Sequence, residues 1–129
     1  MDHEAAKKIA EAFVRFVETN EVGGVFADDV FADINVPEWR FQMQGTDAIE
    51  EWLRGEQPGG CSVPTWRSDP MLEGVVVEVE QHTGEEISRN LHRLEVRDGK
   101  IVEWTMYCTG VWSVETQEAQ RREAPMIRP

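Results

Sequence analysis

Residues 86–113, EISRNLHRLEVRDGKIVEWTMYCTGVWS, are the stretch of sequence that decides the fold. Two runs of alternating side chains flank Asp98-Gly99. Asp-Gly between such runs is a strong hairpin signal, because a primed turn needs positive φ at its centre. Successive side chains of a strand point to opposite faces. We therefore predict two long antiparallel strands joined by a tight turn at residues 97–100.

One face of this hairpin is predicted to point inward. It is apolar near the turn and polar at its far end: Ser88, Asn90, His92, Leu94 and Val96 in the first strand, and Val102, Trp104, Met106, Cys108, Gly110 and Trp112 in the second. An inward face that turns polar at one end is typical of a lined pocket rather than of a plain core.

The chain before the hairpin begins with helical patterns. Asp2 is a plausible N-cap for a helix that runs to about Asn20, and Thr46 for a second helix that ends at Gly55. Between them we predict a short helical turn at residues 25–27, a strand over residues 29–36 and a crossing segment at residues 37–45 that is rich in large apolar groups. The loop at residues 56–62 is glycine-rich and is predicted to be flexible and to cover a pocket.

The later chain is predicted to consist of strands. Residues 65–72 form an edge strand, because Pro70 cannot donate to a ladder, and residues 74–82 form a second strand. Residues 114–129 form a C-terminal tail that is helical at first and docks on the body through Met126 and Ile127. The whole chain, 1–129, is expected to be one domain of α+β class: helices packed on a strongly curved, mostly antiparallel sheet.

Composition excludes several classes of partner. The chain has 129 residues, with 25 acidic against 13 basic side chains and a net charge of −12. Nucleic acids and anionic membranes attract clustered Lys and Arg, so neither is an expected partner. Cys61 and Cys108 show no disulfide framework, which indicates a reduced, cytoplasmic protein. The three histidines show no metal-ligand spacing, and neither a metal nor a cofactor is expected.

Three segments resemble the nuclear transport factor 2-like superfamily: FADDV at 26–30, GTDAIE at 45–50 and RDGKIVEW at 97–104. The resemblance covers residues 3–113. That superfamily includes ketosteroid isomerase, scytalone dehydratase and small polyketide cyclases. The resemblance implies a cone-shaped sheet around a deep, hydrophobic pocket and, in many members, a homodimer.

Most isomerase roles are not preserved in this sequence. The base of that enzyme matches Asp33 or its neighbour Ile34, depending on a one-residue gap. Its oxyanion-hole tyrosine matches Phe16, which has no hydroxyl, and its neutral carboxylic acid matches His92. Ketosteroid isomerisation is therefore not expected, although other acid–base chemistry in the same pocket is compatible with the resemblance.

His92 and Asp33 are the two candidate catalytic residues. An inward imidazole next to Asn90 can donate to a ligand or exchange a proton with it. The alternative is a core histidine that is hydrogen-bonded to Asn90 or to a backbone carbonyl. Asp33 is costly to bury unpaired, and it faces solvent if Ala32 and Ile34 face the helices.

The candidate ligand-binding residues are mostly large and polarizable, as suits a flat aromatic or polycyclic ligand. The alternative for each aromatic residue is that it fills the core. Arg40 offers a fork of donors for Asp33 or for a ligand carboxylate, and the alternative for it is a surface ion pair. The set comprises Asn90, Trp39, Trp52, Trp104, Met106, Phe16 and Arg40.

Two hypotheses about function follow from the sequence. The first is a cofactor-free isomerase, dehydratase or cyclase that acts on an apolar carbonyl compound. The second is a non-catalytic module that binds a small apolar or aromatic ligand or another protein. A homodimer is also expected, through an outer sheet face on which Leu91 and Tyr107 are apolar anchors.

Overall fold

The computed structural model of the chain describes residues 1–128. They form three helices and six strands, in the order α1 His3–Thr19, β1 Phe26–Val36, β2 Trp39–Gln44, α2 Thr46–Glu56, β3 Ser62–Met71, β4 Gly74–Thr83, β5 Glu86–Arg97, β6 Lys100–Cys108 and α3 Val114–Glu123.

The six strands form one sheet in the order β2-β1-β6-β5-β4-β3. Every neighbouring pair is antiparallel except β1 and β6, which run parallel. Helix α1 packs on β3 and β4, and α2 packs on β1 and β2, so both helices cover the same inner face. The predicted α+β class, with helices on a mostly antiparallel sheet, is confirmed.

The β5–β6 hairpin turns as predicted. Asp98 has φ of 53° and Gly99 has φ of 74°, the two positive values that a type I′ turn requires. The predicted inward orientation of one side chain, Val102, is wrong. The register shifts beyond the Glu95–Glu103 pair, so that Ile101 pairs with Val96 and is fully buried while Val102 is half-buried. This bulge inserts one residue and reverses the alternation next to the turn.

Helix α1 follows the pattern that the sequence predicts. The carboxylate of Asp2 accepts a hydrogen bond from Glu4 N at 2.9 Å, and Asn20 ends the helix in the left-handed region at φ 63°. The buried side chains repeat at helical spacing and form one face: Ala6, Ala10, Phe13, Val14, Phe16 and Val17. Burying this face against the sheet positions Phe16 and Val17 beside the strands.

One prediction for the region between α1 and α2 is wrong. Residues 25–27 are not a helical turn, because β1 already begins at Phe26 and pairs there with Ile101. The crossing segment after Pro37 forms β2, which is antiparallel to β1 and closes an edge hairpin.

The loop between α2 and β3 is held by α1. Cys61 N donates to Glu18 O at 3.1 Å, and Asn20 Nδ2 donates to Gln57 O. Gly60, at φ +76°, lies so close that a Cβ would stand 2.0 Å from Glu18 O. These contacts attach the loop to the C-terminal end of α1.

The C-terminal segment is helical, as predicted, but it packs lightly. Ser113 Oγ accepts from Thr116 N and caps α3, none of whose residues is buried. Gln117 Nε2 donates to Glu85 O and Trp112 O. Docking through Met126 and Ile127 is wrong, because these side chains are 72% and 96% exposed.

Candidate functional site

A cavity of about 320 Å³ lies between the inner face of the sheet and the ends of α1 and α2. Its exposed rim includes Val111 and Glu56, whereas Trp104 and His92 are almost completely buried and form its floor. The lining residues are mostly apolar: Phe16, Val17, Asn20, Val36, Pro37, Trp52, Leu53, Glu56, Gln57, Gln81, Ser88, Asn90, His92, Trp104, Met106, Cys108, Gly110 and Val111. A cavity of this size matches the small-molecule sites of other proteins, which span about 300–1,000 Å³.

Trp104 fixes the protonation of His92. The indole Nε1–H donates to His92 Nδ1 at 3.0 Å. An indole nitrogen can only donate, so Nδ1 is the unprotonated acceptor and the ring proton is on Nε2. Within residues 1–128, no atom accepts that Nε2–H, and the atom exposes less than 1 Å². The ring also packs edge-to-face on Phe13, with centroids 4.7 Å apart.

His92 is neutral across the physiological pH range. Burial lowers its pKa from 6.5 to about 3, because a charged imidazolium would lose its hydration there. With Nδ1 occupied and Nε2 protonated, the ring has no free lone pair and cannot act as a base in this state. It can donate one hydrogen bond. The structure favours the interpretation as a core histidine, although its hydrogen-bond partner is Trp104 rather than Asn90 or a backbone carbonyl.

A directed chain of hydrogen bonds leads from α1 to Asn90. The Cys61 thiol donates to Val17 O at 3.4 Å, and Gln81 Nε2 donates to Cys61 Sγ at 3.5 Å. Gln81 Oε1 then accepts from Asn90 Nδ2. Asn90 Oδ1 remains buried without a partner in the described part of the chain.

Asp33 and Arg40 do not belong to the cavity. Ala32 and Ile34 are fully buried, so Asp33, between them on β1, faces the outer side of the sheet. There Arg40 Nε and Nη2 donate to Asp33 Oδ1 and Oδ2 at 2.8 and 2.7 Å. This hydrogen-bonded cation holds the pKa of Asp33 below its usual value. The prediction that Asp33 is a pocket base is wrong, and the ion-pair alternative for Arg40 is correct.

The aromatic candidates divide between the cavity and the surface. Trp52, Trp104, Met106 and Phe16 all line the cavity, as the sequence predicted for ligand contact. Trp39 does not: it begins the edge strand β2 and is 70% exposed. The β1–β2 pairing places Trp39 opposite Val36, at the first residue of the edge strand, where its side chain lies outside the cavity lining.

Several cavity residues were missed from the sequence. Gln81 had a usable signal, because it continues the inward alternation of Val75, Val77 and Val79 on β4. Asn20 and Gln57 had none. They end α1 and α2, and only the packing of those helix ends on the sheet brings them to the rim.

No protein-family model matches the chain, and no curated protein matches it. Solved structures do. A nuclear transport factor 2-like protein of unknown function from Burkholderia xenovorans is 18% identical, with a TM-score of 0.65 over 91% of this chain and 92% of that one. A protein proposed to be a ketosteroid isomerase, from Kribbella flavida, is 20% identical, with a TM-score of 0.62 over 85% and 82%. A nuclear transport factor 2-like protein from Anabaena variabilis is 19% identical, with a TM-score of 0.62 over 85% and 95%.

The chain therefore has the nuclear transport factor 2-like fold, as the resemblance in its sequence predicted. Identities of 18–20% establish the architecture and leave the chemistry to be argued from the cavity itself. Within residues 1–128, no helix has the length and apolar character needed to cross a bilayer.

Proposed function

We propose that this protein binds a small, uncharged and largely apolar molecule in its internal cavity. One observation carries the proposal. The inner sheet face and the ends of α1 and α2 form a cavity of about 320 Å³ whose lining is mostly apolar. Transfer of apolar ligand surface from water into such a cavity contributes about 25 cal/mol per Å².

The wall chemistry supports an uncharged ligand. Phe16, Trp52, Leu53 and Met106 supply apolar contact area, and each buried CH₂ of a ligand contributes about 0.8 kcal/mol. Of the described residues that line the cavity, Glu56 at the rim is the one carboxylate, and none is a lysine or an arginine. A ligand carboxylate would therefore lose its hydration without gaining a cation, which disfavours it.

The positions of the candidate bases favour binding over acid–base catalysis. Removal of an α-proton needs a base within about 3 Å of the substrate. Asp33 lies on the outer face, and Ile34, the other position that matches the isomerase base, has no ionisable group. His92 retains the geometry of an electrophilic donor without a basic partner. Isomerase, dehydratase or cyclase activity is therefore the second candidate, and it would require Glu56 to reach the substrate from the rim.

The neutral fluorescent naphthalene N-phenyl-1-naphthylamine tests the proposal. We expect saturable binding of one molecule per chain, with enhanced fluorescence. Val111→Trp places a large ring at the rim and should weaken binding, whereas Val114→Trp, on α3 outside the cavity lining, should not. Absence of saturable binding would overturn the proposal, and equal affinity in all three proteins would place the probe outside the cavity.

A further inference from the structure

We infer that Val111 is a specificity-determining residue of the cavity, and that it discriminates between ligands by the width of the group that lies in the entrance. This inference deepens the proposed function and rests on it. Its basis is a second β-bulge that turns Val111 toward the entrance, together with the contacts that hold this bulge in place.

Hydrogen bonds extend the pairing with β5 beyond the end of β6. Thr109 N donates to Arg89 O at 3.0 Å. Further along, Trp112 N donates to Ile87 O at 2.7 Å, and Ile87 N donates to Trp112 O at 3.2 Å. Between these two pairs β5 has one residue, Ser88, whereas the opposite segment has two. Two residues opposite one define a β-bulge.

The two residues of this bulge are Gly110 and Val111. Gly110 has φ of 83°, and a glycine with positive φ is the first residue of a G1 bulge. Strict alternation from Met106 and Cys108 would place Gly110 on the inner face and Val111 on the outer one. Both residues line the cavity, and Val111 is 64% exposed at its rim. The bulge therefore turns Val111 from the outer face toward the entrance, where a ligand can reach it.

Pro37 holds the bulge from the side of β1. It follows Val36, the last residue of that strand, and it also lines the cavity. A Cβ built on Gly110 would stand 2.9 Å from Pro37 Cγ, so the proline ring packs directly on the glycine. Because the ring also fixes the backbone φ of the proline, this contact leaves the bulge little room to move toward β1.

Helix α3 holds the far end of the bulge. Gln117 Nε2 donates to Trp112 O at 3.0 Å and to Glu85 O at 2.9 Å. Moving Val111 out of the entrance would therefore require breaking hydrogen bonds on both sides of it. A wide ligand group in the entrance meets a fixed side chain, whereas a linear group can pass beside it.

Two isomers, n-butylbenzene and tert-butylbenzene, test this discrimination. They contain the same atoms and differ mainly in the width of the butyl group. Affinities are measured by competition with N-phenyl-1-naphthylamine and corrected for the affinity of that probe in each protein. Val111→Ala should raise the affinity for tert-butylbenzene relative to n-butylbenzene about fivefold, because the steric conflict with the wide group is relieved. The matched control Val114→Ala, on α3 outside the cavity lining, should keep the wild-type ratio.

A nuclear Overhauser experiment on the wild-type protein detects the contact directly. With isotope-labelled valine methyl groups, the Val111 methyl protons should show cross-peaks to the butyl protons of bound n-butylbenzene. The Val114 methyl protons should show none. This measurement needs no variant, so it decides the question even if Val111→Ala fails to fold.

The failure of this inference differs from the failure of the proposed function. If N-phenyl-1-naphthylamine does not bind, or if neither isomer displaces it, both proposals are overturned. If both isomers displace the probe and Val111→Ala keeps the wild-type ratio, the binding function stands and the role of Val111 is overturned. Absence of cross-peaks from the Val111 methyl groups to a bound isomer would overturn that role as well.

Discussion

Burial of His92 in neutral form should make the protein less stable as pH falls from 7 to 5. Burial lowers the pKa of His92 in the folded protein to about 3, whereas the unfolded chain has the ordinary histidine value near 6.5. Between these two values the unfolded state binds a proton that the folded state does not bind. Stability is therefore complete above about pH 6.5 and is lost progressively down to about pH 3.

The size of the loss follows from the two pKa values. Protonation of one histidine stabilises the unfolded chain by about 2 kcal/mol at pH 5 and by about 0.2 kcal/mol at pH 7. His92 should therefore remove about 2 kcal/mol of unfolding free energy over this interval. Carboxylates whose pKa values are lowered by ion pairs, such as Asp33 beside Arg40, contribute mainly below this range.

Urea unfolding followed by far-UV circular dichroism, at pH 7 and at pH 5, measures this difference. In His92→Phe the histidine contribution should disappear, so its stability difference between the two pH values should be about 2 kcal/mol smaller than that of the wild type. The control His3→Phe, at an exposed position, should keep the wild-type difference. Equal differences in the wild type and in His92→Phe would refute the conclusion that His92 is buried in neutral form.

Two further predictions concern the loop and the outer sheet face. Gly60→Ala should destabilise the protein by about 1–3 kcal/mol more than Gly59→Ala. Both glycines have positive φ, but only the Cβ added at Gly60 would clash with Glu18 O. Equal urea unfolding midpoints for the two variants would contradict this. We also propose a homodimer through the face carrying Leu91, which is 44% exposed. Light scattering at micromolar concentration should give twice the chain mass of 14.8 kDa for the wild type and a smaller mass for Leu91→Glu. The control Leu72→Glu, at an exposed position, should keep the wild-type mass. A monomeric wild-type protein would count against the proposal.

Local signals in the sequence predicted much of the fold. Asp98-Gly99 adopts the two positive φ values of a type I′ turn, which joins antiparallel strands. Asp2 caps the start of α1 with its side chain, and Asn20 ends that helix in the left-handed region. The bulge that buries Ile101 instead of Val102 had no such local signal. It arises where β6 fits against β5 and β1 together, so single-strand alternation could not predict it.

The candidate site was predictable only in part, for a physical reason. Alternation correctly grouped Asn90 with His92 on the inner face of β5. It also showed that Asp33 and Ile34 face opposite sides, but it could not tell which side the helices cover. That choice depends on the packing of α2 against β1 and β2. The hydrogen-bond chain that starts at Val17 joins α1, the loop before β3, β4 and β5, and it could not be predicted from any one of them.

The parallel pairing of β1 with β6 has a consequence for biosynthesis. β1 is made early, yet Phe26 pairs with Ile101 and Ile34 with Met106. A ribosome adds about 5–20 residues per second, so roughly 70 intervening residues delay that pairing by about 4–14 s. During this interval the edge of β1 that pairs with β6 is unpaired. A nascent chain in this state can pair with a second copy through that edge. Aggregation by this route is therefore expected before β6 has left the ribosome.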